Sequence, residues 1–368
     1  MYRAHRAAGI SLRHICLFRL DKGAGIGYDE DETRAEDPEP RRTAERGMVV
    51  LKYRGIVIHD TDCGDYWAKR LEKSGLNTLG IHPAGGRTAH LSLEACAAFV
   101  GTREWQAFRA RMNEAGLRVE FEMHALSWML PRDLFEAHPA WFRMDENGQR
   151  TPQFNCCASN PEAAAYLRER AALLAAVFPS DTHRYHFWID DVAEARCCCP
   201  LCRTLSASDQ ALRLTNAFAE GVRHTDPDGK TAYLAYRRTL EVPTQVRPLP
   251  YVFLEYAPIA RDFDRSLFDP AGGRNAAQAA HLPALLDFFG RTDAKALDYW
   301  VDNSLFSKWK LPPQKFALNE SVCRADVSRY AALGFEAVTS FGCFLGENYS
   351  ALWGDAAIEP YFRILRET

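Results

Sequence analysis

The sequence predicts an α/β protein of the (β/α)8 barrel class, with long βα loops and a missing or vestigial fifth helix. Three observations predict it. From Met48 onward, short β-branched and aromatic runs alternate with amphipathic helical stretches, the pattern of a parallel sheet with helical crossovers. There are eight such runs at roughly 40-residue spacing, which suits a closed barrel better than an open doubly wound sheet. No G-x-G-x-x-G follows the first run, which weakens a dinucleotide-binding reading.

GIVIHD (55–60) reads as strand one. The helix after it, 65–75, stops at Gly75, a residue that readily takes the left-handed conformation of a helix end. LNTLGIH (76–82) is strand two, 103–116 a helix with its own glycine stop, and LRVEFEMH (117–124) strand three. A helix over 161–178 has Pro161 in its first turn, with Ser159 or Asn160 as cap. HRYHFWIDD (183–191) is strand four, followed by a serine-capped helix over 208–222. KTAYLAY (230–236) and PYVFLEY (250–256) are strands five and six, separated by a proline-bearing stretch with no helical period. The last units are a helix over 274–290 with a kink at Pro283, strand seven over 294–302, a helix over 325–334 and strand eight over 335–342.

The chain has 368 residues, 47% hydrophobic and 25% charged, with a formal net charge of -3. Those values exclude a wholly disordered or fibrous chain and give no basic excess for nucleic acid or an anionic membrane. No apolar run is long enough to predict a membrane span. Residues 1–47 are acidic and proline-punctuated over DEDETRAEDPEP and predict a disordered or loosely attached extension, leaving 48–368 as the folded domain. The first 18 residues scatter Arg and His through their apolar positions and lack a secretory core, and three of the eleven Cys are consecutive. Both features predict a reduced, cytoplasmic protein. The sequence leaves oligomeric state open.

In a barrel of this class, function collects at the C-terminal ends of the strands. Those ends read His59, His82, His124, Asp190-Asp191, Tyr236-Arg237-Arg238, Glu255 and Asp298 to Asn303. The sharpest is Trp188-Ile189-Asp190-Asp191, where an apolar strand runs into two adjacent carboxylates. Like charges at close range raise one pKa, and a carboxylic acid still protonated near neutrality can serve as a general acid. Successive strand residues face opposite sides, so the two aspartates are expected to differ in role.

Several segments resemble the family called domain of unknown function 4838. They are EMHALSWMLPRDLFEAHPAWFRMDENGQR (122–150), NCCASNPE (155–162), WIDD (188–191) with CCCPLC (197–202), SDQALRLTNAFAEGV (208–222), LDYWVDNSLFSKW (297–309) and TSFGCFL (339–345). The resemblance implies a glycosidase-like barrel akin to α-glucuronidases and β-hexosaminidases. In retaining hexosaminidase-type barrels an acidic pair closes strand four. One member polarises the substrate's 2-acetamido group and the other is the general acid; WIDD is similar to that pair. The expected substrate is then a carbohydrate, a uronide or an N-acetylhexosaminide.

Glycoside hydrolysis needs an acid and a second carboxylate, unless the substrate's own acetamido group attacks. Asp191 is the expected acid, Asp190 its orienter or polariser and Glu255 the partner carboxylate. Asp302 and Asp298 are rivals, with Asp298 the more structural. Trp188, Trp300 and Trp309 are candidates for an apolar sugar platform. His59, His82 and His124 are candidates for binding hydroxyls, Tyr236 for an oxygen near the anomeric centre, and Arg237 or Arg238 for a substrate carboxylate. No cofactor is required. Cys197, Cys199 and Cys202 have ligand-like spacing for a structural zinc, with Cys156 or Cys157 as fourth ligand; reduced thiols packed in a loop are the competing reading. The rival functions are a carbohydrate-binding barrel without catalysis and a zinc-stabilised hydrolase of a non-sugar substrate.

Overall fold

The computed structural model describes residues 51–192 and 195–368. The extension predicted for 1–47 lies outside them. Eight parallel strands close a barrel in sequence order. They are β1 (Tyr53–His59), β2 (Thr78–His82), β3 (Arg118–His124), β4 (Arg184–Trp188), β5 (Lys230–Ala235), β6 (Val252–Tyr256), β7 (Lys295–Asp298) and β8 (Ala337–Phe341).

The helices form where apolar period and caps coincide. Arg103–Glu114 starts at Thr102, whose side chain accepts the Trp105 N–H. Pro161–Val177 starts at Asn160, which accepts the Ala163 N–H. Ala207–Thr225 starts at Ser206, which forms a reciprocal capping box with Asp209. Gly221 lets these last two helices approach closely, since a Cβ there would lie 2.1 Å from the Arg168 carbonyl oxygen.

The expected helix over 274–290 is two helices, Arg274–Ala279 and Leu282–Phe289, because Pro283 falls in the first turn of the second. Strand seven is shorter than its apolar run: only Lys295–Asp298 pairs, and 299–302 turn across the mouth. Between β5 and β6 the described chain forms only a 3-10 turn, Arg237–Thr239, so the fifth helix is missing from that crossover. No described helix is long and apolar enough to cross a membrane.

Inward-facing residues stack in layers, as alternation along each strand requires. The central layer is charged. Lys295 Nζ lies 2.5 Å from Glu122, 3.1 Å from Glu255 and 3.9 Å from Glu120. His186 bridges Glu120 at 3.2 Å and Glu255 at 2.9 Å, while Arg184 reaches Glu120 at 3.7 Å. All six side chains are buried. Three carboxylates and three basic groups balance, as groups withdrawn from water must. Glu120, Glu122 and His186 lie close enough together to hold a metal ion. The Lys295 ammonium already supplies the positive charge there.

Candidate active site

Above the charged layer the strand ends enclose a cavity of about 500 Å3. Its floor is apolar: Trp188, Leu297, Tyr299 and Phe341 pack in one buried cluster. The Trp188 indole N–H donates to Glu255 Oε2 at 2.7 Å, which anchors the ring to the layer below. Tyr299 stacks on Phe341 with centroids 5.4 Å apart.

One side of the cavity is an arc of three histidines. His59 Nδ1 lies 3.0 Å from the His82 carbonyl, His82 Nδ1 2.7 Å from that of Glu122, and His124 Nδ1 2.7 Å from that of Ile189. A carbonyl oxygen only accepts, so each Nδ1 carries the hydrogen. A ring with its hydrogen there has Nε2 left to meet a sugar hydroxyl. Burial first, then His59 and His124, hold His82 well below the usual histidine range, so this ring is neutral at physiological pH. Gly85 closes over the arc. A Cβ there would be 3.1 Å from the His124 ring, tighter than an ordinary contact, and in normal contact with His82 Nε2 at 3.8 Å, so a larger residue would press on His124.

Two carboxylates border the cavity, Asp191 and Asp302. Asp191 is half-buried, and the Tyr236 hydroxyl donates to its Oδ1 at 3.3 Å. Asp302 is buried and caps the short helix Asn303–Phe306. Its Oδ1 accepts from the Ser304 N–H, the Ser304 hydroxyl and the Leu305 N–H. Burial pushes its pKa up, against those hydrogen bonds and nearby His59, which pull it down. Arg237 also lines the cavity, in the left-handed region at φ 51°. Its guanidinium lies 5.0 Å from the Tyr236 ring centroid. Trp309, 63% exposed, stands at the rim.

His59, His82, His124, Trp188, Asp191, Tyr236, Arg237, Asp302 and Trp309 therefore share one space. Three expected site residues do not join them. Glu255 lies beneath Trp188 in the charged layer, fully buried, so it is not the partner carboxylate across the mouth. Trp300 is a core residue: it packs against Tyr330 and Tyr361 and donates its indole N–H to Asp326. Asp190 accepts from the Ser127 N–H, the Arg132 guanidinium at 2.5 Å and the Asn155 N–H at 2.6 Å. Its carboxylate is committed to holding two loops, which fits the orienting role: Oδ2 takes two of the three bonds and Oδ1 the third. Asp298 is structural, in a buried pair with Arg261; burial raises its pKa to about 6. Tyr299 lies in the Asp298 to Asn303 strand end but carries no assigned role in the sequence, and Phe341 is not singled out by it. Both are ordinary core aromatics by composition, and only barrel closure turns them towards the cavity.

Residues 53–278 match a family described as a domain of unknown function, DUF4838. The chain belongs to that family. No curated protein sequence matches it. Among solved structures, the DUF4838 barrel is similar to a cold-adapted β-galactosidase from Rahnella sp. R3, with 12% identity and a TM-score of 0.50. The match covers 88% of this chain and 56% of that one, so the barrel spans little more than half of the galactosidase. A GH5-4 broad-specificity endoglucanase from an uncultured bacterium aligns at 11% identity and TM-score 0.47, covering 83% and 85% of the two chains. Tandem GH20 modules of a pneumococcal exo-β-D-N-acetylglucosaminidase align at 10% and 0.46, covering 87% and 85%. These likenesses are of fold.

Proposed function

We propose that this DUF4838 barrel is a glycoside hydrolase acting on a uronide. One observation carries the reading. Asp191 and Asp302, from the loops after β4 and β7, border a single aromatic-floored cavity at the C-terminal mouth of the barrel. Asp191 is the more exposed of the two and is assigned the general acid. It protonates the glycosidic oxygen as the C1–O bond breaks and its electron pair goes to that oxygen. Asp302 lies deeper, fixed by three hydrogen bonds to one oxygen, and is assigned the nucleophile or base. The Trp188 and Tyr299 faces would pack the apolar C–H surface of the sugar ring, and the histidine arc would meet its hydroxyls.

The choice of a uronide over an N-acetylhexosaminide rests on two residues. Arg237 brings a guanidinium to the cavity, suited to a sugar carboxylate. Asp190, the group a substrate-assisted path would need, is occupied by Arg132 and two backbone N–H groups. Purified protein should hydrolyse aryl uronides faster than the matching neutral glycosides. Arg237→Gln should raise KM for the uronide about tenfold or more, the loss of a charge-assisted hydrogen bond, and leave the neutral sugar unchanged. Equal turnover of both sugars by the wild type would sink the uronide assignment.

The same roles fix a pH dependence. A nucleophile or base works ionised, so activity falls as pH drops through the Asp302 pKa. Burial raises that pKa. The acidic limb of kcat should therefore lie above the ordinary aspartate value of about 3.9. Asp302→Asn keeps a good helix cap but removes the charge. It should abolish turnover without lowering the melting temperature appreciably, and azide should restore part of the rate. An intact acidic limb in the Asn variant would assign that limb to another group.

A further inference from the structure

A second cluster, on the loops behind Asp190, lies outside the cavity. Cys157, Cys197, Cys199 and Cys202 are all buried, with their four sulfurs within 4.8 Å of one another. Cys157 Sγ is 3.7 Å from both Cys199 Sγ and Cys202 Sγ. A tetrahedral zinc site with Zn–S near 2.3 Å has sulfur–sulfur edges of about 3.8 Å. An iron–sulfur cluster would hold its thiolates farther apart, so the spacing suits one ion. The surroundings suit anionic sulfur. The Met144 N–H donates to Cys197 Sγ at 3.3 Å, and Arg150 Nη1 lies 3.8 Å from the same atom. Gln210 anchors the backbone of the cysteine loop: its Oε1 accepts the Cys197 N–H, and its Nε2 donates to the Cys197 and Cys202 carbonyls.

We propose that these four cysteines bind a single structural zinc ion, which cross-links the loops after β3 and β4. Binding exchanges four thiol protons for one Zn2+ and leaves a dianionic centre, partly offset by Arg150. All four positions are filled by protein sulfur, so the ion has no open site and takes no part in chemistry. Its consequence is positional. Asn155, two residues before Cys157, donates its N–H to Asp190, accepts the Asp190 N–H at 3.0 Å and reaches the Ala195 carbonyl at 3.2 Å. The ion therefore clamps the two strands of chain that hold Asp190 and aim Asp191. Cys156 and Cys198, the immediate neighbours, are not part of the four.

The test is elemental analysis of protein purified under reducing conditions, with no substrate involved. One zinc per chain is expected, released together with four thiols by a mercurial reagent. Cobalt replacement should give the thiolate charge-transfer and intense visible bands of a tetrahedral tetrathiolate site. Cys156→Ala and Cys198→Ala should each keep one zinc, whereas Cys199→Ser should lose it. Metal-free wild type with four freely titrating thiols, a disulfide within the four, or iron in place of zinc would each overturn the assignment. Because the wild type alone decides it, a variant that fails to fold leaves the test intact. The outcome is also independent of whether the cavity cleaves sugars.

Discussion

Asp191→Asn is expected to lower turnover of an alkyl uronide by about 10^2- to 10^4-fold, the range for loss of a general acid. The same variant should lose far less against a dinitrophenyl uronide, whose leaving group needs no proton. The side chain is half-buried, and its one described hydrogen bond comes from the Tyr236 hydroxyl at 3.3 Å. An amide oxygen can still accept that bond, so the fold and sugar affinity should survive. The leaving-group comparison separates the acid from a merely structural residue. A structural defect would slow both substrates alike, as would the loss of Asp302 acting as nucleophile or base. Equal losses on the two substrates would move the acid role away from Asp191. No loss on either would favour a barrel that binds sugar without cutting it.

The legible part of this protein is the part written in local period and in strand-end chemistry. Alternating runs and caps are local, so the eight strands and most helices could be read residue by residue. His59, His82, His124 and Asp191 follow directly once each strand's end is located. What failed depended on depth and register, which are not local. Glu255 is one residue from the end of β6, yet it sits a full layer below the mouth, with the Trp188 ring above it. Trp300 follows β7 by two residues but faces the helices, because the chain turns after Asp298. The pair Asp190-Asp191 invited a shared-proton reading. Their opposite orientation gives one to Arg132 and the other to Tyr236 instead. For the cysteines, spacing marked three of the four clustered residues. Folding chooses Cys157 over Cys156: it is Cys157 whose sulfur falls within 4.8 Å of the other three.

Lys295→Met should destabilise the barrel by roughly 3–5 kcal/mol, the cost of leaving buried charges without their partner. Lys295 Nζ is the one ammonium in a layer that holds Glu120, Glu122 and Glu255 within 3.9 Å. Burial alone would push its pKa down, but the three carboxylates outweigh that and raise it, so it stays charged. Glu255 shows the reciprocal effect. Burial pushes it up, while His186 and Lys295 bring it down to about 2. Burial already holds Glu122 above its ordinary value despite Lys295. Without the ammonium it rises further, and Glu255 rises from its depressed value towards and above the unfolded one. The folded variant then binds more protons than the unfolded chain, so its stability is greatest at low pH and declines as pH rises through those pKa values. Denaturant titrations across pH should reveal a deficit that grows from acid to neutral. Adding Glu122→Gln to the methionine variant should recover a good share of it, because the carboxylate nearest the lost cation is then gone. A neutral-pH deficit under about 1 kcal/mol, below the range for a broken buried pair, would mean that Arg184 and His186 alone balance the layer. The deficit should also reach the cavity, since Glu255 is the acceptor that holds the Trp188 indole in the floor. The methionine variant should therefore bind sugar more weakly even under acidic conditions where it remains folded.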